Sequence, residues 1–444
     1  MSSYHLAITP LQPLRFEGLH WCLDFPQDQQ AFELSEGGDA LYLQGWLLST
    51  STPVKLSIRQ RDHIQWHALD RKRADVIEHI FKQPGENHSQ LKCGFKLSVP
   101  VLHDEIVLGV EVNNRSVDLV RISIQGVFKV LRGMDHWLFL DNDTNKSVEQ
   151  FTGKLLLEPA KLQEWKRYFD GLLELQRKQP AAILIAPAKE MVYPEFYPYS
   201  RAELTPVDQV IQLDEAKATF IYPLTALQRS SKRSFRITDT HWSAFGAMIA
   251  TKQVAKRFGI SLAETKALFK NDKYRLYSSF GDLGKKVFPP QQAKERRLKN
   301  FSYRKWLCYD NGLSNFGRVM VLHYPTALHE GHLLLFGSSS SYSMFNYLVR
   351  VFRTVTFIHT AGNIDSSLVQ LLQPDFVLSQ TNGRFVVRPP SIDYCLQQVI
   401  AEKLLDLTAI ERDAIAESAS EQMSTTELTA VRLVHQLFEQ GGAR

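Results

Sequence analysis

The sequence predicts a chain of three parts: an all-β sandwich over residues 1–130, an α/β domain on a parallel sheet over 131–395, and a helical tail over 396–444. Three observations point there. Short alternating segments without long helices fill the first part, strands alternating with amphipathic helices fill the second, and helical patterns close the chain. With 444 residues, 44% hydrophobic and 22% charged, the composition is that of an ordinary globular protein large enough for more than one core.

In the first part, ALYLQGWLLS (40–49), VKLSIRQ (54–60), CGFKLSVPV (93–101), EIVLGVEV (105–112) and VDLVRISIQGVFKVL (117–131) alternate apolar and polar residues. Turn formers EGGD (36–39) and VNNRS (112–116) separate some of them. Short strands at this spacing indicate a sandwich. His63, His67 and His79 are scattered without supporting ligands and read as surface residues.

After Gly133 the pattern changes. LEPAKLQEWKRYFDGLLELQRKQ (157–179) is amphipathic, and AAILIAPAKE (181–190) follows as an apolar strand of the kind buried in parallel sheets. WSAFGAMIATKQVAKRFG (242–259) is a second helix. Strand HLLLFG (332–337), helix YSMFNYLVRVF (342–352), strand TVTFIHT (354–360), helix DSSLVQLLQ (365–373) and strand DFVLSQ (375–380) complete the alternation. Sites in such sheets lie at the carboxyl ends of the strands. In the tail, 399–421 and 424–440 read as helices, with STTE (424–427) as a capping box.

The charge balance excludes some partners. A net charge of +5 from 52 basic and 47 acidic residues is too dilute to predict a nucleic-acid partner. The locally basic stretch KKVFPPQQAKERRLKNFSYRKW (285–306) reads as a solvated loop or helix face in preference to a site for an acidic ligand. Cys22, Cys93, Cys308 and Cys395 lie far apart without a CxxC, so neither a metal site nor a disulfide scaffold is expected. No apolar run approaches the ~20 residues that span a bilayer, and the first thirty residues show no export signal, so a cytoplasmic location is expected unless a leader has been removed.

The chemistry gathers at two places. In ITDTHWSAFGAMIA (237–250), Asp239 and His241 are two apart and point the same way in an extended segment. The carboxylate then orients one imidazole nitrogen and leaves the other free to take a proton, the base half of a nucleophile-activating triad. A competing reading makes Asp239 a helix cap and His241 a first-turn residue. The nucleophile is expected in LLLFGSSSSYSMFNYL (333–348), where Gly337 allows a sharp turn and a serine between strand and helix meets amides able to stabilise an oxyanion.

These segments resemble a known family. LFGSSSSYS (335–343) is similar to the Gly-Asp-Ser turn of SGNH-type esterases, with Gly337, Ser338 and Ser339 in its three places and the aspartate missing. Asp-Thr-His-Trp (239–242) precedes the serine, as in the alginate O-acetyltransferases of the AlgX and AlgJ type, whose SGNH-like domain is circularly permuted. Gly133 with Trp137, Leu138 and Phe139, Lys189 with Tyr193 and Pro194, Gly246, FGDLGKKV (280–287) and QPDFVLSQTNGRFV (373–386) resemble further segments of that family. The resemblance spans roughly residues 131–390 and leaves out the sandwich and the tail.

The resemblance implies Ser339 as nucleophile, His241 as base and Asp239 as its orienting acid, transferring acetyl through an acetyl-serine to a hydroxyl of a bacterial surface polysaccharide or its precursor. Oxyanion donors are sought in the amide of Ser339 and of a neighbouring tract residue, Ser338 or Ser340, and in the Asn382 side chain, with Gly362 and Asn363 as alternatives. Trp242, Tyr193, Lys189, Tyr342 and Arg384 are candidates for contact with carbohydrate, with Trp242 equally suited to a place under the triad. No metal or bound cofactor is expected; the acetyl donor would be acetyl-CoA or an acetylated partner, and other polysaccharide-biosynthesis proteins are the expected associates. An acetylesterase with the same triad and a non-catalytic carbohydrate-binding or assembly protein are the alternatives.

Overall fold

The structure is a computed structural model of the chain and describes all residues except 1, 17, 35–39, 50–53, 102, 113–114, 127–129, 142, 288, 425 and 443–444. The EGGD turn (36–39) and the asparagines of VNNRS lie outside the described residues. By packing, the chain divides into two units, 1–130 with 280–292, and 131–279 with 293–444.

The first unit is a sandwich of a six-stranded and a five-stranded antiparallel sheet. The strand Ala40–Ser49 alternates between buried and half-buried positions, as a strand with one face on a core must. Tyr4, Leu6, Ile106 and Ile122 from one sheet meet Leu19, Trp21, Leu43 and Phe95 from the other in a single cluster. The first four expected strands are present and the fifth runs over Arg115–Gly126, with 127–129 outside the described residues and Val130–Arg132 in a separate pair; Ser2–Pro10, Leu19–Phe25, Ala31–Leu34 and His63–His67 add to them. His79 sits on a short helix, Ala74–Phe81, that alternation did not mark. Residues 280–292 join this unit: the Tyr4 hydroxyl, fully buried, donates to the carbonyls of Lys285 and Val287.

The second unit is α/β. Its seven-stranded sheet runs in the order Phe220–Ile221, Ala181–Ala186, Phe376–Asn382, His329–Gly337, Phe352–His359, Val319–His323, Leu307–Asp310. The first five are parallel, and Val319–His323 turns antiparallel to its neighbour. The edge pair Leu307–Asp310 and Val319–His323 makes the sheet mixed where a wholly parallel one was expected. Ala181–Ala186 is buried at every position, which is why it is uninterruptedly apolar.

Two expectations are corrected here. The basic stretch 285–306 is neither a loop nor a helix face throughout: Ala293–Leu298 pairs with Tyr274–Ser279 as an antiparallel hairpin. Ser424 does not cap a following helix, because it ends the helix Ala409–Ser424 and its hydroxyl donates back to the carbonyl of Glu421. The tail is part of the α/β unit: Leu396, Ile400, Ala419, Val431 and Phe438 are buried in the same core as the sheet. Among the described residues no helix is long and apolar enough to cross a membrane.

Tyr4→Phe should remove the hydrogen bonding of this buried hydroxyl to the 285–287 segment and lower the stability of the first unit by about 1–3 kcal/mol. Urea denaturation of the full chain, followed by the near-ultraviolet signal of Trp21, checks this.

Candidate active site

Three parallel strands end side by side where the site is built. Ala181–Ala186 leads into the turn that bears Lys189, His329–Gly337 into the serine tract, and Phe376–Asn382 ends on Asn382 itself. Gly337 is required at the second of these exits. A Cβ there would lie 2.3 Å from the Ser341 hydroxyl, so no other residue lets the chain turn this tightly.

The turn is a short 3-10 helix, Ser339–Ser343, capped by Ser338, whose hydroxyl accepts from the Ser340 amide at 3.3 Å. Beneath it the Gln380 side-chain oxygen accepts three hydrogen bonds, from the Ser338 amide (2.9 Å), the Ser338 hydroxyl (2.8 Å) and the Ser341 hydroxyl (2.8 Å). Three donors on one atom fix the orientation of this amide, since its nitrogen could accept none of them. That nitrogen donates to the Thr381 carbonyl and to Asn382 Oδ1.

The histidine comes from a loop ahead of the helix Ala244–Arg257. His241 Nδ1 lies 2.8 Å from Asp239 Oδ1, and Nε2 lies 3.0 Å from Ser339 Oγ. A carboxylate only accepts, so Nδ1 carries the proton and Nε2 is left to accept from the serine hydroxyl. Asp239 does not cap the helix; Ser243 does, accepting from the amides of Phe245 and Gly246. Gly246 is needed there because a Cβ would lie 2.1 Å from the Ser234 carbonyl oxygen.

Burial works against the Asp239 charge, but the hydrogen bond from His241 and the Arg236 guanidinium (3.2 Å from Oδ2) outweigh it and hold the carboxyl well below the usual carboxylate range. The loop is fastened on several sides. The buried Lys189 ammonium donates to the carbonyls of Leu138 (2.6 Å), Ile237 (2.7 Å) and Asp239 (3.1 Å), lying over the Trp137 and Phe139 rings. Glu295, on the hairpin, accepts from the Ile237 amide and from Arg233. The Trp242 indole donates to the Ser340 carbonyl at 2.9 Å and ties the histidine loop to the serine turn.

The other candidates separate clearly. The Ser338 amide is taken by Gln380 and the Ser340 amide by Ser338, so neither is available to an oxyanion. The Ser339 amide and Asn382 Nδ2 have no hydrogen-bond partner among the described residues, while Asn382 Oδ1 is held by the Ser340 hydroxyl at 2.8 Å and by Gln380. Gly362 and Asn363 are elsewhere: the Gly362 carbonyl accepts from Tyr168 and Ser379, and the Asn363 side chain is spent on Thr360 and Ser391.

Trp242, 1% exposed, cannot stack on a sugar. Lys189 is buried as a fastening, and the Tyr193 hydroxyl is bound to Ser234 beneath Trp137. Tyr342 and Arg384 are half-buried and line open space. Tyr342 lines a cleft of about 930 Å³ that exposes Ser339 and His241, and Arg384 lines a smaller pocket beside His241, Asn382 and Glu190. Burial pushes the Glu190 carboxyl up. Gln380, Arg236, Glu295 and Glu190 were not singled out in the sequence. Gln380 had one signal, a polar residue in a strand whose every position is buried.

Residues 130–300 match the family model described as SGNH hydrolase-like domain, acetyltransferase AlgX. A probable alginate O-acetylase AlgJ of Pseudomonas fluorescens is 27% identical over 203 residues, 40% of this chain and 48% of that protein, so the chain spans about half the length of the curated relative it matches. Among solved structures, Bacillus cereus PatB1 superimposes with a TM-score of 0.42 at 12% identity, over 59% of this chain and 97% of that one. The O-acetyltransferase domain of Pseudomonas putida AlgJ gives 0.34 at 18% identity, over 62% and 98%. Pseudomonas aeruginosa AlgX gives 0.32 at 12% identity, over 57% and 62%.

Gln380→Ala should strand three buried donors and cost roughly 3 kcal/mol or more, read as a lowered midpoint in urea. The depressed Asp239 carboxyl should stabilise the fold fully above the unfolded value of about 3.9 and lose that contribution as pH falls through the folded value. Stability of Asp239→Asn should therefore fall less steeply below about pH 4 than that of the unaltered chain.

Proposed function

We propose, from the match of residues 130–300 to the SGNH hydrolase-like, AlgX acetyltransferase family model, that this chain is a polysaccharide O-acetyltransferase working through Ser339, His241 and Asp239. The observation that supports the triad is the unbroken hydrogen-bonded line from Asp239 through His241 to Ser339, open to solvent at the serine end.

In this reading the Ser339 oxygen bonds to the acetyl carbonyl of a donor as His241 Nε2 takes the hydroxyl proton. The carbonyl oxygen becomes an oxyanion facing the two unengaged donors, the Ser339 amide and Asn382 Nδ2. Collapse breaks the bond to the leaving group, which departs with the proton from Nε2. A sugar hydroxyl then gives its proton to Nε2 and bonds to the acetyl carbon, and Ser339 leaves and recovers the proton. Asp239 stays ionised throughout, stabilising the imidazolium, as its depressed carboxyl allows.

Slow turnover of p-nitrophenyl acetate tests the first half. Ser339→Ala and His241→Ala should each abolish nearly all of it, and combining them should cost little more, because members of a triad act as a unit. Asp239→Asn should lower it by on the order of 10⁴-fold through the wrong tautomer. Full activity of Ser339→Ala would end the nucleophile assignment. Mass spectrometry of added oligosaccharides tests the second half: a gain of one acetyl group supports transfer, whereas loss of acetyl from acetylated glycans makes the enzyme an esterase. No labelling of Ser339 by a fluorophosphonate would leave a binding protein.

A further inference from the structure

The cleft that opens on Ser339 carries a charge that acetyl transfer alone does not use. Arg275, Arg296, Arg297, Lys299 and Arg304 line it, and among the described residues no carboxylate does. Among the described residues none of these five side chains has an ion-pair or hydrogen-bond partner, whereas the neighbouring cations are engaged, Arg233 with Glu295 and Arg236 with Asp239.

The hairpin sharpens the point. Its register sets Arg275 directly opposite Arg297, a like-charge pairing that weakens an antiparallel ladder. Both side chains are exposed, so packing does not demand it. The Arg297 guanidinium lies over the Tyr277 ring at 5.4 Å, which places its planar fork beside an aromatic face of the same cleft.

These features select a compact anion of several charges. Guanidinium forks bind oxyanions through two parallel hydrogen bonds. A facing pair with three more cations around one cleft is denser than the single charge that an acidic sugar ring brings. We propose that this cleft binds pyrophosphate and holds the phosphorylated end of a substrate whose other end reaches Ser339. It rests on the proposed function only for the role of Ser339. The pyrophosphate could belong to an acetyl thioester of coenzyme A as donor, or to a sugar on a nucleoside diphosphate as acceptor.

Calorimetric titration of the full chain with inorganic pyrophosphate tests the site. Binding should weaken steeply as salt rises, should persist in Ser339→Ala, and should fall about tenfold or more in the double variant Arg275→Gln, Arg297→Gln. The Arg275→Lys, Arg297→Lys variant should recover part of it, and Lys178→Gln, at an exposed position off the cleft, should match the unaltered chain. Circular dichroism checks that each variant is folded. No binding, equal binding by the double glutamine variant, or displacement of pyrophosphate by an equimolar oligouronate would overturn the proposal.

Two further arms identify the source. Acetyl-CoA should leave one acetyl group on Ser339, the new oxygen–carbon bond forming as the carbon–sulfur bond breaks and the thiol leaves with a proton from His241. Alternatively, a uridine diphosphate sugar should itself gain the acetyl group from p-nitrophenyl acetate. Pyrophosphate binding with neither reaction would overturn the substrate assignment, and binding without any esterase activity would retire the acetyl-transfer reading while the site stands.

Discussion

One oxygen atom, Oε1 of Gln380, governs the geometry of this site. By accepting from the Ser338 amide and from the hydroxyls of Ser338 and Ser341, it pins both ends of the turn that presents Ser339. The network is fully buried, where each satisfied bond is strong and each missing one expensive. It also accounts for the serine at 338 in place of aspartate. The Ser338 hydroxyl still accepts from the Ser340 amide, as a carboxylate would, but it also has a proton to donate. An aspartate there would set negative charge against the Gln380 oxygen, so the serine and the glutamine belong together.

The histidine side is fixed by charge instead. The Asp239 loop has little regular structure of its own and borrows rigidity from Lys189, Glu295, Arg236 and the Trp242 indole, which come from or reach into four different parts of the unit. Neutral hydrogen bonds hold the nucleophile's turn and ionised groups hold the base's loop, and the two meet at the bond from Ser339 to His241 and at that from Trp242 to Ser340. A base whose partner carboxylate is permanently ionised keeps its orientation while its own protonation changes.

The parts legible in the sequence were those with local signatures. Ala181–Ala186 and His329–Gly337 are continuous apolar runs, and Asp239, His241 and the serine tract are residue types placed at strand or helix boundaries. The edge strands Leu307–Asp310 and Val319–His323 escaped because they are short and the first follows a basic stretch, so neither periodicity nor polarity separated them from loop. Gly362 was placed by its position after a strand, and Lys189 and Tyr193 by the family resemblance, while the indole of Trp242 took the place under the triad that was one of its two expected roles. The partners of Gly362 and Lys189 are tens to hundreds of residues away: Gly362 binds Tyr168, and Lys189 binds Leu138 and Asp239. Gln380 is the clearest case of this kind, since only the folded strand reveals what it faces.

The return of residues 280–292 to the first unit sets the order in which this polypeptide can mature as it is made. Although 1–130 leave the ribosome first, two acceptors of the fully buried Tyr4 hydroxyl, the carbonyls of Lys285 and Val287, emerge much later. By then the second unit has supplied the neighbouring strands Ala181–Ala186 and Phe220–Ile221 but none of the strands from Leu307 to Asn382, which all lie on the other side of Ala181–Ala186 in its sheet. Vectorial synthesis usually lets an amino-terminal domain finish before the next begins. Here the sandwich is completed midway through translation of its neighbour, and a half-made sheet with an open edge is the species a chaperone would meet.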